Sequence, residues 1–301
     1  MKPSSGSPDL SVIVPSVNGF DYLRLCLDAL TSQEGGVRVE VLVADRCGAE
    51  LRRKVAERFP GARILPAPPQ TTIPELRALA LRNASAPSVA VIEDHVIVPR
   101  DWARRMLDAR REGASVVGGG VANAATERLV DRAAFFCEYG HMLGELPAGP
   151  AEWLTGNNTV YDRELMEPHA PLIEKTWEDR LHTELRDAGV TLVSRPDIVV
   201  GHQMHYTILE YFSQRFHYSR SFSGARSRQM GAPKRLAFAG AAVLLPPILL
   251  RRIVRSVWRH PAHRADLIRS LPVIALWTLA WAAGDAVGFL FGPGRSLQEV
   301  R

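Results

Sequence analysis

Residues 88–99, Ser-Val-Ala-Val-Ile-Glu-Asp-His-Val-Ile-Val-Pro, decide how the rest of the chain is read. The apolar lead is too short for a helix and rich in Val, which predicts a strand buried within a parallel sheet. Glu93, Asp94 and His95 then stand at its end, followed by a second apolar run that stops at Pro99. In open α/β sheets the ligand crevice lies beyond the carboxyl ends of the strands, so two carboxylates and an imidazole there are candidates for chemistry.

Upstream, residues 10–15 (Leu-Ser-Val-Ile-Val-Pro) repeat the buried-strand pattern, and Ser16, Val17, Asn18 and Gly19 make a turn. Residues 22–32 space Leu23, Leu27 and Leu30 on one helical face. A second strand over 37–44 ends at Asp45, and 49–59 reads as the next helix. Strand, helix and strand in alternation predict right-handed crossovers and a doubly wound sheet. No Gly-x-Gly-x-x-Gly follows the first strand, so a conventional dinucleotide site is excluded there. A short strand over 62–65 and a Pro-rich loop precede a helix over 74–84, which carries Arg82 and Asn83.

Downstream, 102–112 is an amphipathic helix and 114–121 a strand with Gly118, Gly119 and Gly120 at its end. Residues 123–150 are hard to read and leave room for a mobile loop. Thr155, Gly156, Asn157 and Asn158 interrupt an apolar pattern after Trp153. Trp177, Glu178 and Asp179 open a helix that Gly189 closes. Apolar runs over 190–194 and 198–200 flank Pro196, and Gly201 and His202 follow.

Charge separates the chain into two parts. The formal charge of the 301 residues is +5, yet from Ser213 onward fourteen Lys or Arg face three acidic residues, a net of +11 that leaves −6 for residues 1–212. A basic tail behind an acidic main domain argues against nucleic acid as a partner. Cys26, Cys47 and Cys137 have neither metal nor disulfide spacing, which suits a reducing compartment, and the polar first eight residues show no export signal.

The tail holds two apolar segments. Residues 271–292 carry one charge, Asp285, and are long enough to span a bilayer; residues 236–250 contain Pro246 and Pro247 and are short for a span. Arg251, Arg252, Arg255, Arg259, Arg264 and Arg269 lie between them, and Lys234 and Arg235 precede them. The positive-inside rule wants both flanks of the short segment in the cytosol, which favours a re-entrant or interfacial first segment over a two-span hairpin. A soluble helical oligomerisation region is the remaining reading.

Taken together, the order strand-Pro-x-x-Asn, strand-Asp, Arg-Asn helix, strand with an acidic triplet, Gly-Asn loop, Glu-Asp helix and strand-His resembles the family 2 glycosyltransferases with their GT-A fold. The resemblance covers roughly residues 10–205. It implies that Pro15, Ser16, Asn18, Asp45, Arg82 and Glu93 hold the nucleotide of a nucleotide-diphosphate sugar. It implies further that Asp94, His95 and His202 hold a divalent ion, Mn²⁺ or Mg²⁺, with His205 a local competitor. His95 departs from the family's Asp-x-Asp and would tilt the preference toward Mn²⁺, since imidazole suits transition metals. Strand alternation places Glu93 and His95 on one face and Asp94 on the other. Asp179 matches the catalytic base, with Glu178 beside it. Gly156, Asn157 and Trp177 are expected at the donor or acceptor sugar, and Trp153 is a second candidate platform. Gln214 and Arg215 stand where polymer-processing members carry Gln-x-x-Arg-Trp, which is absent here.

The expected partition is a flexible N-terminus (1–9), a GT-A catalytic domain (10–205), a basic amphipathic linker helix (206–232), membrane-associated helices (233–292) and a tail (293–301). The expected activity is inverting transfer to a lipid-linked or envelope-glycan acceptor at the cytoplasmic membrane face, with membrane lipids as partners. A nucleotide-sugar-binding scaffold without turnover is the second reading, and a membrane structural protein without nucleotide binding the third.

Overall fold

The structure, a computed structural model, describes residues 6–144 and 146–301. Of the expected flexible stretch 1–9, residues 1–5 lie outside them. The chain divides into two compact units: Met1–Ala122 with Glu145–Gln203, and Asn123–Gly144 with Met204–Arg301.

The first unit is built on nine strands: β1 Leu10–Ser16, β2 Val39–Asp45, β3 Ala62–Pro66, β4 Ser88–Val91, β5 Val96–Ile97, β6 Val116–Asn123, β7 Gly149–Ala151, β8 Thr159–Asp162 and β9 Leu192–His202. Their order is β3-β2-β1-β4-β8-β6-β9-β5, with β7 paired to β9. Along the path from β3 to β6, five strands run one way and β8 runs against them. The result is a mixed, mostly parallel central sheet flanked by helices. Register sets Ser16 beside Asp45 and Ile13 beside Val91, so β1, β2 and β4 end at one edge of the sheet. Ile13, Leu42, Val89, Leu76, Leu181 and Leu185 are buried in the layer between sheet and helices. Each such side chain contributes about 1.5–3 kcal/mol on leaving water.

Two expectations change within this unit. β4 stops at Val91, and Glu93, Asp94 and His95 form a turn closed by Val96 N donating to Glu93 O at 3.1 Å. Period-2 alternation therefore does not apply to the triplet, because the chain leaves the strand to pair β5 with β9. The runs on either side of Pro196 are one strand, β9. Besides lying next to β6, β9 pairs with β7 through Leu192–Ser194 and with β5 through Gly201 and His202; Pro196 falls outside these last two pairings, so its missing N–H breaks neither of them.

In the second unit, the stretch over 123–150 that the sequence leaves unassigned contains the helix Leu129–Tyr139. Its Asp131, Ala133, Ala134, Phe135, Phe136 and Cys137 are all buried, so no apolar stripe marks it in the sequence. Residues 123–144 belong to this unit and not to the first one. The expected linker is the helix Ile208–Ser227, entered by a capping box of Thr207 and Glu210. It is a core element whose buried side is polar and small, with Gln214, Arg215, Ser219 and Ser223; Arg215 is balanced by Glu138 at 2.6 Å.

Beyond it, Ala232–Ala241 and Leu245–Trp258 join through a single turn of 3₁₀ helix, and Arg264–Phe291 follows. Two helical stretches are long and apolar enough to cross a membrane, Ala232–Trp258 with 27 residues and Pro261–Phe291 with 31. The first exceeds the short segment expected because Pro246 and Pro247 sit in the opening turn of a new helical stretch, where a missing N–H is tolerated.

Candidate functional site

The turn after β1 and the turn after β4 are tied by one carboxylate. Asp94 is fully buried. Its Oδ2 accepts from Val17 N at 2.7 Å and Asn18 N at 2.8 Å, and its Oδ1 from Asn18 Nδ2 at 2.8 Å. Burial alone would push the Asp94 carboxyl up; the hydrogen bonds and charge of His95 and the donors from Asn18 and Val17 overcome it and hold the group below its ordinary value.

His95 Nδ1 lies 3.1 Å from Asp94 Oδ1, which leaves Nε2 aimed away from the turn. That Nε2 is 2.9 Å from His202 Nε2 and 3.4 Å from Glu93 Oε2. His202 arrives from the end of β9, set opposite Val96 by the β5–β9 register. Glu93, His95 and His202 offer ligand atoms that all lie within 4.8 Å of one another. Two imidazoles and a carboxylate form a donor set that fits a divalent transition ion, and an acidic partner on the far ring nitrogen orients such a His and raises its basicity. Glu93, expected at the nucleotide, thus stands in this group, and Asp94, expected in the group, has both oxygens engaged by the β1 turn and His95.

A second centre adjoins it through Arg77, on the helix Ile73–Leu81 that Thr72 and Glu75 cap reciprocally. Arg77 is buried and reaches Glu178 Oε2 at 2.7 Å, Gly156 O at 3.2 Å and Glu93 Oε1 at 3.7 Å. Its guanidinium lies 5.9 Å from the centre of the Trp177 ring. A Cβ at Gly156 would stand 2.2 Å from the Glu178 carboxyl, so any larger residue there would have to move that side chain off Arg77. Asn157 Nδ2 donates to Glu93 Oε2 at 3.2 Å and so joins the Gly-Asn loop to the turn. Burial would raise Glu178, but the Arg77 charge holds it below the usual glutamate range.

Asp179, next in the chain, is solvent-exposed, and its carboxyl is held above the usual aspartate range by partial desolvation and by the Glu178 charge. The helix that presents both carboxylates is anchored by buried His182, whose Nε2 is 2.8 Å from the Tyr161 hydroxyl. Burial pushes His182 down to about 4, so it is a neutral packing group.

Asp45 closes β2 with a carboxylate that accepts from Cys47 N at 2.9 Å, Gly48 N at 3.3 Å and Arg52 Nη1 at 3.0 Å. Ser16 is its register partner, and Pro15 faces Ala44. Arg82 is not brought to this edge: it is exposed and paired with Glu174. His205 bonds Asp131 at 2.8 Å within the second unit, where Gln214 Nε2 also donates to Glu299 O at 3.1 Å. Trp153 is 49% exposed and builds no buried platform.

Sequence reasoning passed over Arg77. The available signal was its position on the stripe of Ile73, Leu76, Ala80 and Leu81, where a charge has no reason to sit unless it meets a buried partner.

The sequence profile described as "Glycosyl transferase family 2" matches residues 11–165. No sequence among curated proteins matches the chain. Among solved structures, the Staphylococcus aureus TarS fragment 1–349 in complex with UDP is 14% identical with a TM-score of 0.51, over 93% of this chain and 90% of that one. The same fragment in complex with UDP-GlcNAc gives 15% and 0.52, with the same coverage of both chains. The mannosyltransferase PcManGT from Pyrobaculum calidifontis in complex with GDP-Man and Mn²⁺ is 17% identical with a TM-score of 0.56, over 93% of this chain and 88% of that one. These likenesses establish a shared fold, the GT-A arrangement.

Proposed function

The chain belongs to glycosyl transferase family 2, and on that premise we propose that it is a metal-dependent, inverting enzyme. It moves a sugar from a nucleotide-diphosphate donor to a lipid-linked or envelope-glycan acceptor at the cytoplasmic membrane face. The observation that carries this reading is the convergence of Glu93, His95 and His202 beside the Arg77–Glu178 pair, at the strand ends where an α/β sheet binds ligands. The complexes of TarS with UDP-GlcNAc and of PcManGT with GDP-Man support a nucleotide-sugar donor.

In this reading the β1 turn, from Pro15 to Asn18, and Asp45 bind base and ribose. Glu93, His95 and His202 hold the divalent ion, Mn²⁺ in preference to Mg²⁺, whose chemistry when bound is Lewis-acid neutralisation of the leaving diphosphate. Asp179 takes the proton of the acceptor hydroxyl as that oxygen attacks the anomeric carbon from the face opposite the leaving group. Its raised pKa makes it a stronger base than an ordinary aspartate, and Glu178, kept ionised by Arg77, is part of the cause. Gly156, Asn157 and Trp177 border the sugar.

Purified full-length protein, Mn²⁺ and a panel of nucleotide sugars test the reading. Transfer or donor hydrolysis that Asp179→Asn abolishes, with nucleotide diphosphate still bound, supports it. Binding without turnover by the unaltered chain would leave the scaffold reading in its place.

A further inference from the structure

Within the second unit the helix Ile208–Ser227 runs along Arg264–Phe291. Trp277 Nε1 donates to Ile208 O at 3.0 Å, the Tyr211 and Trp277 rings are 4.3 Å apart, and Arg220 Nε donates to Gly292 O at 3.2 Å. Gly284 and Gly288 let the two backbones meet: a Cβ on Gly284 would stand 2.2 Å from Phe216 O, and one on Gly288 2.7 Å from Arg220 O. The apolar stretch 271–292 is therefore not free to face lipid on all sides. For most of its length it is packed on a helix carrying Glu210, Arg215, Arg220 and Arg226 with Gln214 and His217. Taking one across a bilayer would take the other with it, and such groups are rare and costly at membrane depth.

Both ends of the apolar hairpin carry polar contacts, the turn to Arg132 and Gly140 and the open end between its own two arms. At its turn, Ser256 Oγ donates to Gly140 O at 2.9 Å and Arg132 pairs with Asp266 at 3.1 Å. At its open end, Arg235 Nε donates to Phe289 O at 2.8 Å, close to the Arg220 contact. A hairpin crossing the membrane would have to place these two polar clasps on opposite sides.

The outer face differs in kind. Along 232–258 only Ala242, Leu249, Ile253 and Val257 are buried. Leu236, Val243, Leu244 and Ile248 are 62%, 74%, 58% and 56% exposed. Arg251, Arg252, Arg255 and Arg259 are exposed and continue this stripe at helical spacing. Arg264–Phe291 adds a narrow exposed line of Ile268, Leu276 and Leu279. An apolar band this large on a water-facing surface needs a partner, and a band bordered by arginines is complementary to acyl chains under anionic headgroups.

The geometry points to in-plane attachment: both apolar helices lie in a single leaflet of an anionic membrane, seated on the outer face of 232–258, and neither crosses it. This rests on the membrane association proposed above and specifies its form.

The test uses the full chain with Cys47→Ser, carrying either Ala262→Cys, exposed at the hairpin turn, or Glu57→Cys, exposed on the catalytic unit. Sealed membrane vesicles of either orientation are treated with an impermeant maleimide. Labelling of both positions from the same side is expected, and labelling of Ala262→Cys only from the side opposite Glu57→Cys overturns the inference while leaving membrane association intact. A chain that stays in solution, alone or as a dimer through this face, overturns both. Affinity for phosphatidylcholine–phosphatidylglycerol vesicles, read by flotation, should fall by more than about 100-fold for Arg251→Glu/Arg252→Glu/Arg255→Glu. Equal binding of the unaltered chain to pure phosphatidylcholine overturns the anionic requirement.

Discussion

The Nε2 atoms of His95 and His202 stand 2.9 Å apart although 107 positions separate them in the chain. Two imidazole nitrogens this close either share one proton or share one cation, and the adjoining Glu93 carboxylate stabilises either, so metal titration of variants separates the two. His95→Ala and His202→Ala should each abolish tight Mn²⁺ binding, measured by calorimetry on the folded protein. Asp94→Asn, which alters the group behind His95, should weaken Mn²⁺ by about 10–100-fold. Unchanged affinity in all three variants would remove the metal site.

Arg77, itself buried, bridges two half-buried carboxylates, so deleting its charge strands Glu178. Arg77→Met should cost toward the lower end of about 3–5 kcal/mol, because the Glu178 side chain keeps 29% of its exposure. Chemical denaturation reads the loss. Arg77→Met/Glu178→Gln, which removes both charges, should recover most of it.

For Asp179 the sign of the pH effect follows from its role. A base works only when ionised, so kcat/KM should fall as pH drops through its raised pKa, at a higher pH than an ordinary aspartate would show. Glu178→Gln removes a charge that raises it and should move that acid limb to lower pH. A limb that does not move would deny the coupling.

Gly156 is bounded by the Glu178 carboxyl at 2.2 Å from where a Cβ would lie. Gly156→Ala should displace the Gly-Asn loop or Glu178, at about 1–3 kcal/mol in stability, and lower kcat more than tenfold. Assay beside thermal unfolding separates the two effects.

Arg82 and Glu174 form an exposed pair, and such pairs contribute about 0–1 kcal/mol. Arg82→Ala should therefore leave both stability and donor KM within twofold of the unaltered chain. A large rise in KM would restore the nucleotide role expected from the Arg-Asn helix.

What the sequence determined by itself is the alternation that builds the sheet. Short Val- and Ile-rich runs ending at Pro15, Asp45 and Glu93 announce parallel strands, because a strand covered on both faces must be apolar throughout. The same local physics announces the two apolar tail helices. Only tertiary structure decided which atoms meet. The β5–β9 register brings His202 to His95, a turn and not a strand sets Glu93 against them, and the buried position of Arg77 between Glu93 and Glu178 depends on a helix, a loop and a turn far apart in the chain. The polar helix Ile208–Ser227 passed for a linker because its contacts are hydrogen bonds, an ion pair and glycine-enabled backbone packing, none of which leaves a hydrophobic period. Periodicity records the faces that leave water; it does not record which partners the buried polar groups find once they have left it.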